Sequence, residues 1–104
     1  MIEKIKLKEI KRVQRINERK KNAFRKLISE KGYNYGRGYV VISKDNKIID
    51  GNHRYQACLE IYGKNAYMNF KRRNITYLMH NLLFILYNLF VVGLFTLLMI
   101  YLWN

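Results

Sequence analysis

The chain has 104 residues, with 20 Lys and Arg against 7 Asp and Glu, giving a formal net charge of +13. This length admits one small domain, and the single cysteine, Cys58, excludes an internal disulfide and any multi-cysteine zinc site. Every Lys, Arg, Asp and Glu lies within the first 73 residues, so the chain divides into a basic part, 1–73, and an uncharged apolar tail, 74–104. Pro is absent while Lys, Ile, Asn and Tyr abound, a bias that suits the AT-rich coding of a phage or mobile element and can account for part of the charge.

Ile5 and Leu7 flank Lys6 in an alternation that predicts a short edge strand. Ile10, Val13 and Ile16 then recur every third residue in a very basic stretch, consistent with a turn of helix or an irregular crossover. Asn17 is the expected N-cap of a helix from about Glu18 to Lys31. Its inward stripe would be Ala23, Phe24, Leu27 and Ile28, its outer surface Lys20, Lys21, Arg25 and Lys26, and Gly32 would end it. Tyr33–Gly38 reads as a loop. Tyr39–Ser43 and Ile48–Ile49 read as strands joined by a tight turn, for which Asp45-Asn46 is good hairpin chemistry. A second helix from about Asn52 to Tyr62 would bury Ala57, Cys58 and Ile61 and close at Gly63, and Ala66, Met68 and Phe70 alternate as a last strand. Cys58, on the apolar stripe of its helix, is expected to be inert core. The expected fold class is α/β of the α+β kind: a small mixed sheet with two main helices, plus one C-terminal transmembrane helix.

In the tail, Leu82–Trp103 contains only one strongly polar residue, Asn88. Those 22 residues make a helix about 33 Å long, against a hydrocarbon core of about 30 Å. Tyr101 and Trp103 suit one interfacial belt, while Lys71, Arg72 and Arg73 flank the other side. The expected localisation is a single-pass membrane anchor with the N-terminal domain cytoplasmic; the alternative is a buried helix of a larger assembly. Within hydrocarbon the Asn88 amide would bond either to its own helix backbone or to a second copy, which would give a homo-oligomer through the transmembrane helix.

The segment most informative about chemistry is Asp50-Gly51-Asn52-His53-Arg54-Tyr55-Gln56-Ala57, where a strand-like run turns at a glycine into a helix. A helix N-terminus offers free amides and a positive dipole end to an anion. Arg54 adds a planar fork for phosphate oxygens and His53 a hydrogen bond or a proton. Gly51, Asn52, His53 and Arg54, with Arg15 reaching in from the first crossover, form the expected phosphate- or nucleotide-binding set. Asp50 and His53 are the candidate catalytic residues, Asp50 as a base, an orienter of Arg54 or a ligand to a phosphate-bridged metal. The bland alternative is a turn at Asp50-Gly51, a capping Asn52 and a surface Arg54.

In this element order, the segment from about Ile5 to Phe70 resembles the ParB/sulfiredoxin-like domain. The resemblance rests on Gln14-Arg15 ahead of the first helix, Gly32 before an apolar strand, the strand pair Val40–Ile49 running into Asp50-Gly51, and the Gly-x-x-Arg-x-x-Ala pattern of Gly51–Ala57. Asn52, His53 and Gln56 depart from the Gly-Glu-Arg-Arg-x-Arg-Ala of ParB proteins that bind cytidine triphosphate. Asn52 also stands where sulfiredoxins carry their nucleophilic cysteine. Asp-Gly-His-His-Arg of small ParB-like enzymes, including nucleotide-dependent serine kinases, is the nearest variant; Asp50, His53 and Arg54 match it position for position. The resemblance implies a phosphate-bearing ligand, with a nucleoside triphosphate and Mg2+ as the cofactor such enzymes would use.

The basic surface, interleaved with Tyr33, Tyr35, Tyr39, Tyr55 and Tyr67, fits nucleic acid or the anionic leaflet, with Lys20, Lys21, Arg25, Arg37, Lys71, Arg72 and Arg73 as expected contacts. No protein metal site is expected. Three functions compete: a membrane-anchored module binding nucleotide or DNA, a ParB-like phosphotransferase or nuclease, and a small holin-like or regulatory membrane protein.

Overall fold

The structure, a computed structural model, describes residues 1–103; Asn104, the end of the expected tail, lies outside them. Strands β1 (Ile2–Lys6), β2 (Val40–Ile42), β3 (Ile48–Asp50) and β4 (Tyr67–Arg72) form one sheet in the order β1-β4-β2-β3. β1 pairs antiparallel with β4, β4 parallel with β2, and β2 antiparallel with β3, so the sheet is mixed. Helices α1 (Glu18–Lys31) and α2 (Asn52–Tyr62) pack together beside it, and a third helix, α3 (Tyr77–Trp103), ends the described chain. The mixed α+β fold expected from the sequence is present.

β1 is an edge strand, as its alternation implies, but it ends one residue early. Leu7 leaves the strand for a single 3-10 turn, its amide donating to the Ala66 carbonyl at 2.9 Å. Residues 12–16 form the irregular crossover, apart from regular structure, while Lys11 bridges to Lys47. The hairpin between β2 and β3 turns on Asn46 with a positive φ of 61°, a conformation asparagine tolerates, and the Ser43 amide bonds the Lys47 carbonyl at 2.9 Å.

The core gathers Ile5, Leu7 and Ile10 from the first segment, Ile28 from α1, Val40, Ile42 and Ile48 from the hairpin, Tyr55, Ala57 and Cys58 from α2, and Met68 and Phe70 from β4. The inward stripe of α1 differs from the expected one. Ala23 is exposed, and Lys21 takes its place on the line Lys21, Phe24, Ile28 that meets α2. The Lys21 ammonium lies 2.6 Å from Glu18 and 3.1 Å from Glu60, so a charge sits on the packed face because two carboxylates close over it. Hydrogen bonds to Glu18 and then Glu60 raise its pKa above the ordinary lysine value.

α3 has 27 residues and a mean hydropathy of 2.5 over its most apolar window, none of which is buried by the rest of the chain. It is long and apolar enough to cross a membrane. The molecule's longest dimension is 60 Å, against about 40 Å for the helix alone, so α3 projects out of the domain. Its root is fastened. The amides of Arg73 and Lys44 bond the carbonyls of Ile42 and Ile75 at 2.9 and 2.7 Å, and the Asp45 carboxylate accepts from the Tyr77 amide at 3.0 Å, capping the helix from the hairpin turn. β2 and β4 therefore run toward α3, and β3 runs back to Asp50, which shares a row with Val41, Lys71 and Ile2, before Gly51 turns the chain into α2.

Candidate functional site

Gly51 makes the turn from β3 into α2 with φ 91°. A Cβ there would sit 3.1 Å from both the Val40 Cα and Arg54 Nη2, so both backbone and space demand glycine. The first backbone bond of α2 runs from the Tyr55 amide to the Gly51 carbonyl at 2.9 Å, leaving the amides of Asn52, His53 and Arg54 ahead of the helical ladder. No side chain caps this end.

The three side chains of that first turn go to different tasks. Asn52 is only 5% exposed and donates its Nδ2 to the carbonyls of Gln14 and Arg15 at 3.3 and 3.2 Å, while its Oδ1 has no partner. His53 accepts the Asn17 amide on Nε2 at 2.9 Å, which leaves Nδ1 as the ring's unengaged nitrogen. Together they tie the crossover and the start of α1 to α2. Asn52 thus has no side-chain N–H left for an anion, and His53 presents only its Nδ1 edge.

Arg54 turns back over the glycines. Its Nη1 donates to the Gly38 carbonyl at 3.1 Å, and its Nη2 lies 3.8 Å from Asp50 Oδ2. A Cβ on Gly38 would approach Nη1 to 3.2 Å, so Gly38 and Gly51 leave the slot in which the guanidinium rests. The Tyr33 hydroxyl donates to the same Gly38 carbonyl at 3.0 Å; burial pushes its pKa up to about 12, against the opposing pull of Arg54. Asp50 is open to solvent, with its side chain 73% exposed.

Around Arg54 lies a cleft of two adjoining chambers. One, about 670 Å³, is lined by Gln14, Lys20, Phe24, Arg37, Ile49 and the run Asp50–Arg54. The other, about 360 Å³, is bounded mainly by Phe24, Leu27, Ile28, Tyr33 and Arg37, and Arg54 with Phe24 and Arg37 belongs to both. Three cations and a helix N-terminus face the larger chamber against a single carboxylate, which makes it an anion site by charge.

The structure thus brings together Asp50, Gly51, Asn52, His53 and Arg54 with Lys20 and Arg37. It separates others. Arg15 supplies its carbonyl to Asn52 and its side chain does not line the cleft, where Gln14 stands instead. Lys21 is buried between Glu18 and Glu60 and is no surface contact; Arg25 stays exposed, 3.4 Å from Glu60. Arg72 is half-buried, bonded to Glu3 and to the carbonyls of Ser43 and Lys44, so it braces the sheet rather than facing a partner. Tyr55 cannot stack on a base: it is buried, its hydroxyl donating to the Leu7 and Ile10 carbonyls at 2.6 and 3.1 Å. Lys71 and Arg73 are exposed near the α3 end and line neither chamber, although Lys71 lies two strands across from Asp50 in the same row of the sheet.

Gly38, whose carbonyl holds Arg54, and Phe24, which walls both chambers, are the residues of the cleft that the sequence motif does not include. The Gly36-Arg37-Gly38 run was the available signal, since a glycine on each side of an arginine marks close backbone approach. Cys58 is fully buried and desolvation pushes its pKa to about 11, fitting its expected inertness. Among the described residues no group of three His, Cys, Asp or Glu could hold a metal. Comparison with protein-family models, curated proteins and solved structures finds no match to this chain.

Proposed function

We propose that this chain is a membrane-anchored, ParB/sulfiredoxin-like domain that binds a phosphate-bearing ligand, a nucleotide or DNA, at the Asp50–Arg54 turn. The observation that carries the reading is Arg54, seated between Gly38 and Gly51 at an uncapped helix N-terminus, with Arg37 and Lys20 around the same chamber. Backbone amides supply several donors to one phosphate, and Arg37 and Arg54 add charge-assisted bonds from either side.

A second reading, turnover on that ligand, draws on Asp50 alone. It is the one carboxylate lining the cleft, it is solvent-exposed, and it stands beside Arg54. One carboxylate with substrate phosphates is a normal setting for Mg2+, and the same group can serve as a base toward a hydroxyl. His53 is the weaker candidate for proton transfer, because its Nε2 is already bonded to Asn17.

Titrating the full chain in lipid nanodiscs with nucleotides and with single- and double-stranded DNA tests the reading. Loss of one charged phosphate contact in Arg54→Ala is expected to weaken binding by about tenfold to a hundredfold, with Arg37→Ala intermediate. Equal affinity of wild type and Arg54→Ala for every ligand rejects the phosphate site. Product accumulating with time, and abolished in Asp50→Asn, selects the enzyme reading.

A further inference from the structure

The end of the sheet nearest α3 has its own chemistry. There the chain start, the hairpin turn and the last residues of β4 converge: Ile2 pairs with Lys71, the Arg72 amide bonds the Met1 carbonyl at 2.8 Å, and the Lys44 amide bonds the Ile75 carbonyl at 2.7 Å. Three carboxylates lie in or beside this region, and Asp50, in the row of Ile2 and Lys71, faces Arg54 at 3.8 Å. Glu3 is bonded to Arg72, while Asp45 accepts from the Ser43 hydroxyl and the Tyr77 amide and lies 3.7 Å from Lys47. Three cations are left exposed and without an ion pair among the described residues: Lys44, Lys71 and Arg73, the last touching only the His80 ring, 3.2 Å away. Beside them Met1 is 79% and Ile2 53% exposed among the described residues.

We propose that this end of the sheet is a docking face for anionic phospholipid headgroups, with Lys44, Lys71 and Arg73 on the phosphates and Met1 and Ile2 entering the interface. The proposal rests on α3 spanning the bilayer, since that brings these residues to headgroup level. Continuity with the root of α3 selects lipid over other anions. A polyanion from solution would have to reach cations that the helix root holds against the membrane, whereas headgroups already surround them. The face draws on cations other than Lys20, Arg37 and Arg54, which line the cleft.

The test uses the full chain carrying Ile2→Cys, labelled with an environment-sensitive fluorophore; Cys58, buried, stays unlabelled. The protein is reconstituted in vesicles of phosphatidylcholine alone or mixed with phosphatidylglycerol. Quenching of the label by a lipid-borne quencher is expected to be at least about twofold greater with the anionic lipid, and to fall back in high salt. The Lys44→Gln/Lys71→Gln/Arg73→Gln variant should lose that difference, and Lys71→Glu, which leaves the Arg73–His80 contact intact, should reduce it. A chain that floats with both vesicle types but whose label ignores lipid composition overturns the headgroup face and leaves the anchor standing. A chain that floats with neither overturns both. Loss of duplex DNA binding in the triple variant, with a label indifferent to lipid, assigns the face to nucleic acid and overturns the proposal as well.

Discussion

Helices α2 and α3 invert the usual link between apolarity and burial. α2 is polar in much of its length, yet it buries Asn52, Tyr55, Ala57 and Cys58. α3 is apolar on every side and buries nothing. The difference lies in the surroundings rather than the helix. α2 has one narrow stripe that the sheet and α1 cover, and its polar side chains find specific acceptors such as the carbonyls of Leu7, Ile10 and Gln14. α3 has no stripe at all, so no single packed face could shelter it. An all-round apolar helix is covered either by lipid or by the core of a larger assembly, and this one is long and apolar enough to cross a membrane.

The sharpest way to break this comparison is the same truncation on each side of it. Phe70, fully buried in β4, and Phe90, exposed in α3, lose the same atoms on substitution by Ala. Phe70→Ala should cost the domain about 3–5 kcal/mol, enough to unfold much of a basic part this small. Phe90→Ala should leave the domain's denaturant midpoint unchanged. A comparable loss in both would mean that α3 is packed against the domain after all.

A smaller effect probes how α2 satisfies its polar groups. Tyr55→Phe keeps the ring against Phe70, whose centroid lies 6.4 Å away, and removes the hydroxyl shared by the Leu7 and Ile10 carbonyls. A loss of about 1–3 kcal/mol is expected in equilibrium unfolding, because the Ile10 carbonyl loses its donor while the Leu7 carbonyl keeps only the longer bond from the Ile10 amide at 3.2 Å. A neutral result would show that water replaces the hydroxyl.

The smallest effect is kinetic. Burial holds the Cys58 pKa near 11 against an ordinary value of 9.0, so the thiol stays protonated in the native chain at pH 8. Alkylation should be slow until the domain unfolds, then rapid. By linkage this burial contributes stability that is full below pH 9.0 and is lost as pH rises toward 11. Fast native labelling at pH 8 would mean that α2 opens from the sheet.

Much of the architecture was legible because periodicity and punctuation agreed. Asn17 and Gly32 bracket α1 at the expected residues, Gly51 and Gly63 bracket α2, and the Asp45-Asn46 turn lies between β2 and β3. The inward face of α1 was not legible, since Lys21 reads as surface until Glu60, 39 positions later in the chain (60 − 21), folds over it. The same holds for the cleft. Arg54 and the helix N-terminus are visible in a local motif, but the acceptor at Gly38 and the diversion of His53 to Asn17 depend on contacts between residues 16 and 36 positions apart. Local chemistry is written in order along the chain; the partners that redirect it are not.

The hairpin turn has a mechanical consequence. Because Asp45 caps α3 while β2 and β3 lead from the same turn to Gly38 and Gly51, no slack chain separates the helix from the cleft. About five residues of extended strand, roughly 16 Å, join them as a strut. Tension on a long molecule held at Arg54 would load that strut in shear and reach the helix as torque, and a tilt of the helix would swing the mouth of the cleft through the same angle.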